Sequence, residues 1–188
     1  LFEIDSRIRT VLEMDPDAYV MLNVTAAYHT IWWEQANPQE CIAYPGITAD
    51  IKTNDASHAY LAPSVASLKF RADFCNILER IAKHIDQSSY GDRVFAVRID
   101  FGAYREWYQY GYDKDLLPDV SAPMLRAFRV RLKEKYGTVE ALRRSWNDPE
   151  VTFDTVEFPS PQERLATHTG VLRDPVADVR ELDYLEAL

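Results

Sequence analysis

The order strand, long helix, strand constrains this chain more than any other feature of its sequence. A short apolar run over Tyr19–Val24 predicts a strand buried on both faces, and a second such run covers Val94–Ile99. Between them, an apolar stripe with helical spacing predicts a helix that begins after Ser67 and ends near Asp86. A strand, a long crossover and a second strand form the βαβ unit, which builds parallel sheets. The sequence therefore predicts an α/β fold.

Further helices are expected on either side of this unit. Apolar residues with helical spacing predict a first helix over about residues 3–14. Two helices are expected after the second strand, with Ser121 and Thr138 as their N-caps. Beyond them we expect a loop over residues 162–174 and a final helix that starts near Pro175.

Composition excludes several classes of partner. The chain has 30 acidic against 21 basic residues and a net charge of −9, so nucleic acid is a poor partner for it. No run of 18 apolar residues predicts a membrane span. The cysteines at 41 and 75 cannot build a disulfide framework, and each is expected to be a small buried hydrophobic residue. Neither metal-ligand spacing nor a glycine motif for phosphates occurs, so neither a metal nor a cofactor is expected.

The segments that leave the two predicted strands favour a sugar ligand. In parallel α/β folds, ligands bind at the carboxyl ends of the strands. The segment after the second strand, Asp100–Tyr112, holds six aromatic residues, two acids and two glycines within thirteen positions. Aromatic rings stack on the C–H faces of sugars, and carboxylates accept hydrogen bonds from hydroxyls or transfer protons to a glycosidic oxygen. The segment after the first strand, Thr25–Glu34, leaves from the same edge.

The side chains expected to contact a sugar lie in these two segments. They are His29, Trp33, Asp100, Tyr104, Trp107 and Tyr110. Structural interpretations stay open for most of them. The aromatic rings could equally well pack over the top of a sheet. Asp100 could equally well accept hydrogen bonds from nearby backbone amides. Glu34 is better explained as a charge that favours the start of a helix.

Several motifs resemble one family over nearly the whole chain. Its most specific stretch is the helix pair Phe128–Trp146, which contains Lys-Tyr-Gly-Thr. The other matching segments are Trp33–Glu40, Pro63–Ser67, Tyr90–Val94, Glu106–Tyr108 and Pro159–Arg164. Together they resemble the bacterial β-galactosidase-like glycoside hydrolases, family 42 and its relatives, in the clan of (β/α)₈ retaining glycosidases.

The resemblance implies a fold and a catalytic group. The chain would be a partial (β/α)₈ barrel, about the third to fifth βα units, with the two strands as the third and fourth of the barrel. In this clan the fourth strand ends in Asn-Glu, and that Glu is the acid/base. Here the strand ends Ile99-Asp100-Phe101-Gly102, and the nearest Glu is Glu106, which the resemblance implies as the general acid/base.

The chain is shorter than a complete barrel of this kind. A (β/α)₈ barrel takes about 250 residues, the chain has 188, and both of its ends look cut. We therefore expect residues 1–188 to be one fragment of a catalytic barrel that ends before the seventh strand, where the family carries its nucleophilic Glu. Such a fragment would be inactive alone. Its exposed sheet edges would allow pairing with a second copy.

Two alternatives to a glycosidase fragment stay open. The absence of Asn-Glu also fits a non-catalytic carbohydrate-binding relative. The second alternative is a structural half-barrel whose aromatic side chains only pack against one another. A second Glu on a late strand of the parent protein would favour the enzyme, and a response of Trp fluorescence to sugar would exclude simple packing.

Overall fold

The architecture is a mixture of helices with a small parallel sheet. A computed structural model describes residues 2–26, 31–46, 61–102, 107, 116–166 and 172–188. In chain order the helices and strands are α1 (Phe2–Met14), β1 (Val20–Thr25), α2 (Ile31–Ala36), α3 (Leu68–Asp86), β2 (Val94–Asp100), α4 (Ala122–Tyr136), α5 (Val139–Trp146), α6 (Pro161–Leu165) and α7 (Val179–Leu185). None of these helices is both long and apolar enough to cross a membrane.

The first of two compact units contains the predicted βαβ unit. It comprises Leu1–Thr30 and Lys69–Tyr108. Strands β1 and β2 pair in parallel, with a register that runs from Val20↔Val94 to Thr25↔Asp100. Helix α3 begins directly after Ser67 and ends at Asp86, as the apolar stripe predicts. The predicted α/β organisation is thus confirmed at the level of two parallel strands and their crossover helix.

The prediction that both strands are buried on both faces is wrong. The side chains of Met21, Phe95 and Val97 are 46%, 65% and 42% exposed. Parallel sheets are ordinarily covered on both faces. Within the described residues this sheet has two strands, so each strand has an edge with no strand partner there. A sheet this small leaves apolar side chains open that a wider sheet and its helices would cover.

A shared carboxylate joins α1 to the end of α3 in this unit. The Oδ1 atom of Asp5 accepts hydrogen bonds from the Tyr90 hydroxyl and from His84 Nε2, the latter at 2.6 Å. These bonds hold the pKa of Asp5 below its ordinary value. The buried side chains of Ile8, on α1, and Ile85, on α3, belong to the apolar core of the unit.

The second unit is helical and comprises Ile31–Leu68 and Gln109–Leu188. The predicted caps are confirmed. Ser121 accepts from the Met124 amide at 3.3 Å, and Thr138 from the Ala141 amide at 3.2 Å. Gly137 ends α4 with φ +70°, a conformation that favours glycine. The core of this unit includes these fully buried side chains of α4, α5, α7 and the segment after α5: Met124, Phe128, Leu132, Leu142, Val156 and Tyr184.

A single buried carboxylate binds side chains from both helices of the pair that contains Lys-Tyr-Gly-Thr. Asp183, on α7, is 1% exposed. Its Oδ1 accepts from Lys135 Nζ at 2.7 Å, and its Oδ2 accepts from the Tyr136 hydroxyl at 2.7 Å and from Trp146 Nε1 at 2.6 Å. The motif residues therefore meet at one buried acceptor, and their role in this unit is to hold three helices together.

Two predictions at the carboxyl end need correction. The segment predicted as a loop over 162–174 begins with α6, because Ser160 and Glu163 form a capping box in which each side chain accepts from the other residue's amide. The last helix begins at Val179 and not near Pro175, because Asp174 accepts from the amides of Val176 and Ala177 and holds a turn there.

Candidate functional site at the carboxyl end of the parallel strands

The two strands end side by side, at the edge where the sequence predicts a site. The register closes on the pair Thr25↔Asp100, and the Ala26 amide donates to the Asp100 carbonyl at 2.8 Å. Ala26, Asp100 and Phe101 are all buried, at 5%, 1% and 3% exposure. The ends of both strands are therefore buried.

Asp100 is deeply buried at this edge and is paired with a charge. Its side chain is 2% exposed, and its Oδ1 lies 2.9 Å from the Nε atom of Arg98, whose own side chain is 53% exposed. Burial of a carboxylate is costly unless a partner compensates the charge. The geometry favours the structural interpretation of this residue over a direct contact with sugar, because its carboxylate is closed off from solvent.

Trp107 is anchored to the end of β2 by three contacts. Its amide donates to the Phe101 carbonyl at 2.8 Å, and its indole Nε1 donates to the Ile99 carbonyl at 3.0 Å. The Trp107 and Phe101 ring centroids are 5.5 Å apart. The side chain is nevertheless 62% exposed. An indole that is fixed on one side and open on the other is suited to stack on an apolar sugar face.

A row of aromatic rings connects α3 to this anchor. Phe74 stacks on Phe70 at 5.9 Å, Phe70 contacts Phe101 at 6.1 Å, and Phe101 contacts Trp107. The backbone of Trp107 has φ +58°, which is rare for a bulky residue. Strained conformations of this kind persist only where the surroundings impose them, and they cluster at functional sites. The two hydrogen bonds and the Phe101 ring supply that constraint for Trp107.

Trp33 and Glu34 belong to the second unit. Both are on α2 and buried, at 5% and 4% exposure. Asn37 Nδ2 donates to the Trp33 carbonyl at 2.9 Å, which closes the end of this short helix. Glu34 lies in the first turn of α2, as expected of a charge that favours a helix start. The burial of Trp33 favours a packing role for its ring.

Four predicted site residues fall outside the part of the chain that the structure describes. They are Glu106, Tyr104, Tyr110 and His29. Of the seven candidates, the structure thus brings together Asp100 and Trp107 in the first unit and places Trp33 in the second.

A buried acid in the second unit was not singled out in the sequence. Asp119 is fully buried and accepts from the Ala43 amide at 3.1 Å, the Ser121 amide at 2.9 Å and the Ser64 hydroxyl at 2.6 Å. Burial raises the pKa of this carboxyl, although the hydrogen bonds oppose the shift. Its neighbour Ser64 belongs to the Pro-Ser motif, which was the available signal. These bonds indicate a structural role.

A buried arginine holds the same stretch of chain. Arg164 is 2% exposed and donates to the carbonyls of Leu117 and Pro118. Its Nε lies 3.3 Å from Glu181 Oε2, and its guanidinium carbon lies 4.5 Å from the centre of the Tyr184 ring. Removal of one buried charge from such a pair leaves the charge of its partner buried without compensation. This pair joins the segment before α4 to α6 and α7.

Cys41 is a poor candidate for a nucleophile. Its side chain is buried, and burial raises the pKa of the thiol to about 12, with a further contribution from the nearby carboxylates of Glu34, Asp119 and Glu40. The thiolate is the reactive form, so this sulfur is inert at neutral pH. Across the described residues, no group of three or more histidine, cysteine or acidic side chains is arranged to hold a metal ion.

Comparisons with known proteins identify the fold. No family model matches the chain, and no curated protein does. The structure is similar to part of the β-galactosidase of the psychrophilic Marinomonas ef1, with a TM-score of 0.57 and 22% identity over 88% of this chain and 22% of that one. It is also similar to part of the β-galactosidase of Bacillus circulans sp. alkalophilus, with a TM-score of 0.59 and 16% identity over 99% of this chain and 26% of that one.

These similarities define a class of fold. The chain has a β-galactosidase-like fold over the compared residues. It spans about a quarter of the length of either solved protein. The expected likeness to β-galactosidases is therefore confirmed at the level of fold.

Proposed function

We propose that this chain is a portion of the catalytic barrel of a family 42-like glycoside hydrolase that acts on β-galactosides or related β-glycosides. Its strands would be about the third and fourth of a (β/α)₈ barrel. The observation that carries the proposal is the anchored Trp107 at the carboxyl end of β2. Glu106 directly precedes Trp107 in the sequence, and barrel enzymes carry their catalytic groups at the carboxyl ends of their strands.

In this proposal Glu106 is the general acid/base. It would protonate the glycosidic oxygen as the bond breaks and later take a proton from the attacking water. A retaining glycosidase needs a second carboxylate as nucleophile, about 5–5.5 Å from the first. The nucleophile would come from a later barrel strand. The 188-residue chain alone is therefore expected to be inactive.

Hydrolysis of two aryl β-galactosides tests the role of Glu106. In the parent protein, Glu106→Gln should lower kcat/KM about 10²–10⁴-fold for a phenyl leaving group. The loss should be much smaller for 2,4-dinitrophenyl, because that leaving group needs no proton. Glu140→Gln, an exposed acid on α5, is the matched control. Equal losses for both leaving groups would contradict the assignment. Turnover by the isolated chain that Glu106→Gln abolishes would contradict the expected inactivity of the chain alone.

A non-catalytic carbohydrate-binding relative is the second candidate. Two observations favour it: β2 ends Asp-Phe-Gly where the clan has Asn-Glu, and Asp100 is buried in an ion pair. This candidate predicts sugar binding by the parent protein with no turnover on either substrate.

A further inference from the structure

The edge of β2 that faces away from β1, here called the outer edge, carries a hydrogen bond from Trp107. Successive peptide groups of a strand point alternately to its two sides. The Asp100 carbonyl accepts from the Ala26 amide and therefore points towards β1, so the Ile99 carbonyl points to the outer edge. The indole Nε1 of Trp107 donates to this Ile99 carbonyl at 3.0 Å. A side chain from outside the strand thus makes the bond that a third strand would make.

The indole is held firmly in this position. The Trp107 amide donates to the Phe101 carbonyl at 2.8 Å, and the two rings lie 5.5 Å apart. Adjacent strands of a sheet lie about 4.7–4.9 Å apart, so a ring bonded directly to the outer edge occupies space that an added strand needs. An indole N–H donates and does not accept, so it offers nothing with which the ladder could continue.

The rest of the outer edge has few of the usual protections. Proteins protect exposed edges with prolines, lysines, bulges or covering loops. Strand β2 has seven residues and contains neither proline nor lysine, and its pairing with β1 is irregular only near Val20 and Met21, at the amino end. Phe95 and Val97 are 65% and 42% exposed. Within the described residues no strand pairs with this edge.

A second copy of the chain is the partner that this edge fits. When two β2 strands meet in antiparallel orientation about a two-fold axis at Val97, each Val97 lies opposite the same residue of the other copy, and apolar side chains meet. In that register Ile99 of each copy lies opposite Phe95 of the other. The Ile99 carbonyl is then needed for the new ladder, and Trp107 already occupies it.

We propose that Trp107 is an edge-closing residue, whose indole N–H prevents β2 of a second copy from pairing with the outer edge. The proposal is independent of the proposed function. It reverses, for this edge, the expectation from the sequence that exposed sheet edges pair with a second copy. The positive φ of Trp107, +58°, fits this role, because the turn in the backbone accompanies the return of the chain to the strand that it has just left.

Sedimentation velocity of the 188-residue chain, over a range of concentrations, tests the proposal. The unmodified chain should stay monomeric to about 100 μM. Trp107→Phe keeps an aromatic ring but removes the donor, and it should lower the dissociation constant for self-association at least about tenfold. Adding Val97→Lys to Trp107→Phe should restore the monomer, because two lysines would then face each other across the two-fold axis.

Trp32→Phe is the matched control, since Trp32 is an exposed tryptophan on α2, at 65% exposure, and should sediment as the unmodified chain does. Far-UV circular dichroism checks that each variant is folded, and Trp107→Leu, which also lacks the donor, replaces Trp107→Phe if that variant does not fold. Equal self-association of the unmodified chain and the donor-lacking variant overturns the proposal. Association that Val97→Lys does not reverse, or that Trp32→Phe produces equally, also overturns it, because another surface is then responsible.

Discussion

Replacement of Asp183 by asparagine tests whether the Lys-Tyr-Gly-Thr helix pair is held by one buried acceptor. Asp183 Oδ1 accepts from Lys135, and Oδ2 accepts from both Tyr136 and Trp146. Asparagine has the same shape but one of its two terminal atoms is an NH₂ group, which only donates. Whichever way the amide is turned, a donor must therefore face a donor, and the negative charge is lost in both orientations.

The cost follows from the bonds that disappear. With the NH₂ group towards Lys135, one charge-assisted bond is lost, and Lys135 keeps Glu186 at 2.8 Å. With the NH₂ group towards Tyr136 and Trp146, the Tyr136 hydroxyl and the Trp146 indole both lose their acceptor. Hydrogen bonds to charged groups contribute about 1.5–3 kcal/mol each. We expect Asp183→Asn to lower the free energy of unfolding by about 3 kcal/mol, which corresponds to a fall in Tm of about 6–12 °C for a chain of this length.

Urea unfolding followed by far-UV circular dichroism measures this loss, and Trp fluorescence provides a second probe. Asp154→Asn, an exposed acid in the same unit, is the matched control and should change stability by no more than about 0.5 kcal/mol. A loss for Asp183→Asn that is indistinguishable from this control would refute the reasoning.

Two further predictions concern titratable groups. The pKa of Asp5 is lowered by hydrogen bonds from Tyr90 and His84, so its ionised form stabilises the fold above the ordinary value of 3.8, and this stabilisation is lost as the pH falls through the lower folded-state pKa. Urea midpoints from pH 7 to pH 2 should show this loss, and Asp5→Asn should remove it; an unchanged pH profile would contradict the assignment. Cys41 is buried as expected, but the expected burial of Cys75 is wrong, because its side chain is exposed on α3. At pH 8, iodoacetamide should therefore modify Cys75 and leave Cys41, whose thiol pKa is about 12, unmodified in the folded chain, as mass spectrometry of the peptides would show.

The sequence predicted helices and strands well where the interactions that define them lie within a few residues of one another. Ser121 and Thr138 cap their helices as expected, because an N-cap bonds within its own first turn. The same kind of signal, Ser160 with Glu163, precedes α6, where a loop is expected from the sequence. The expected burial of Met21 and Phe95 was wrong, since burial depends on what covers a strand and not on the strand itself.

The sequence predicted that the two strands end side by side, and it predicted only part of what surrounds their ends. The carboxyl ends of β1 and β2 do lie side by side, and Trp107 is anchored there. Asp100 is buried in an ion pair, which no spacing in the sequence indicates.

The sequence by itself determined the order of the elements and hence the parallel arrangement of the strands. The spacing of apolar residues and the capping hydrogen bonds act over a few residues, so they can be read from the sequence. A strand, a crossover helix and a second strand ordinarily form a parallel pair. Only the tertiary structure decided which polar groups share a partner. Asp183 meets a tyrosine and a tryptophan that lie 47 and 37 positions earlier in the chain, and Asn23 comes to lie beside Arg98. Such pairs are set by strand register and helix packing, because buried polar atoms must find partners wherever the chain brings them.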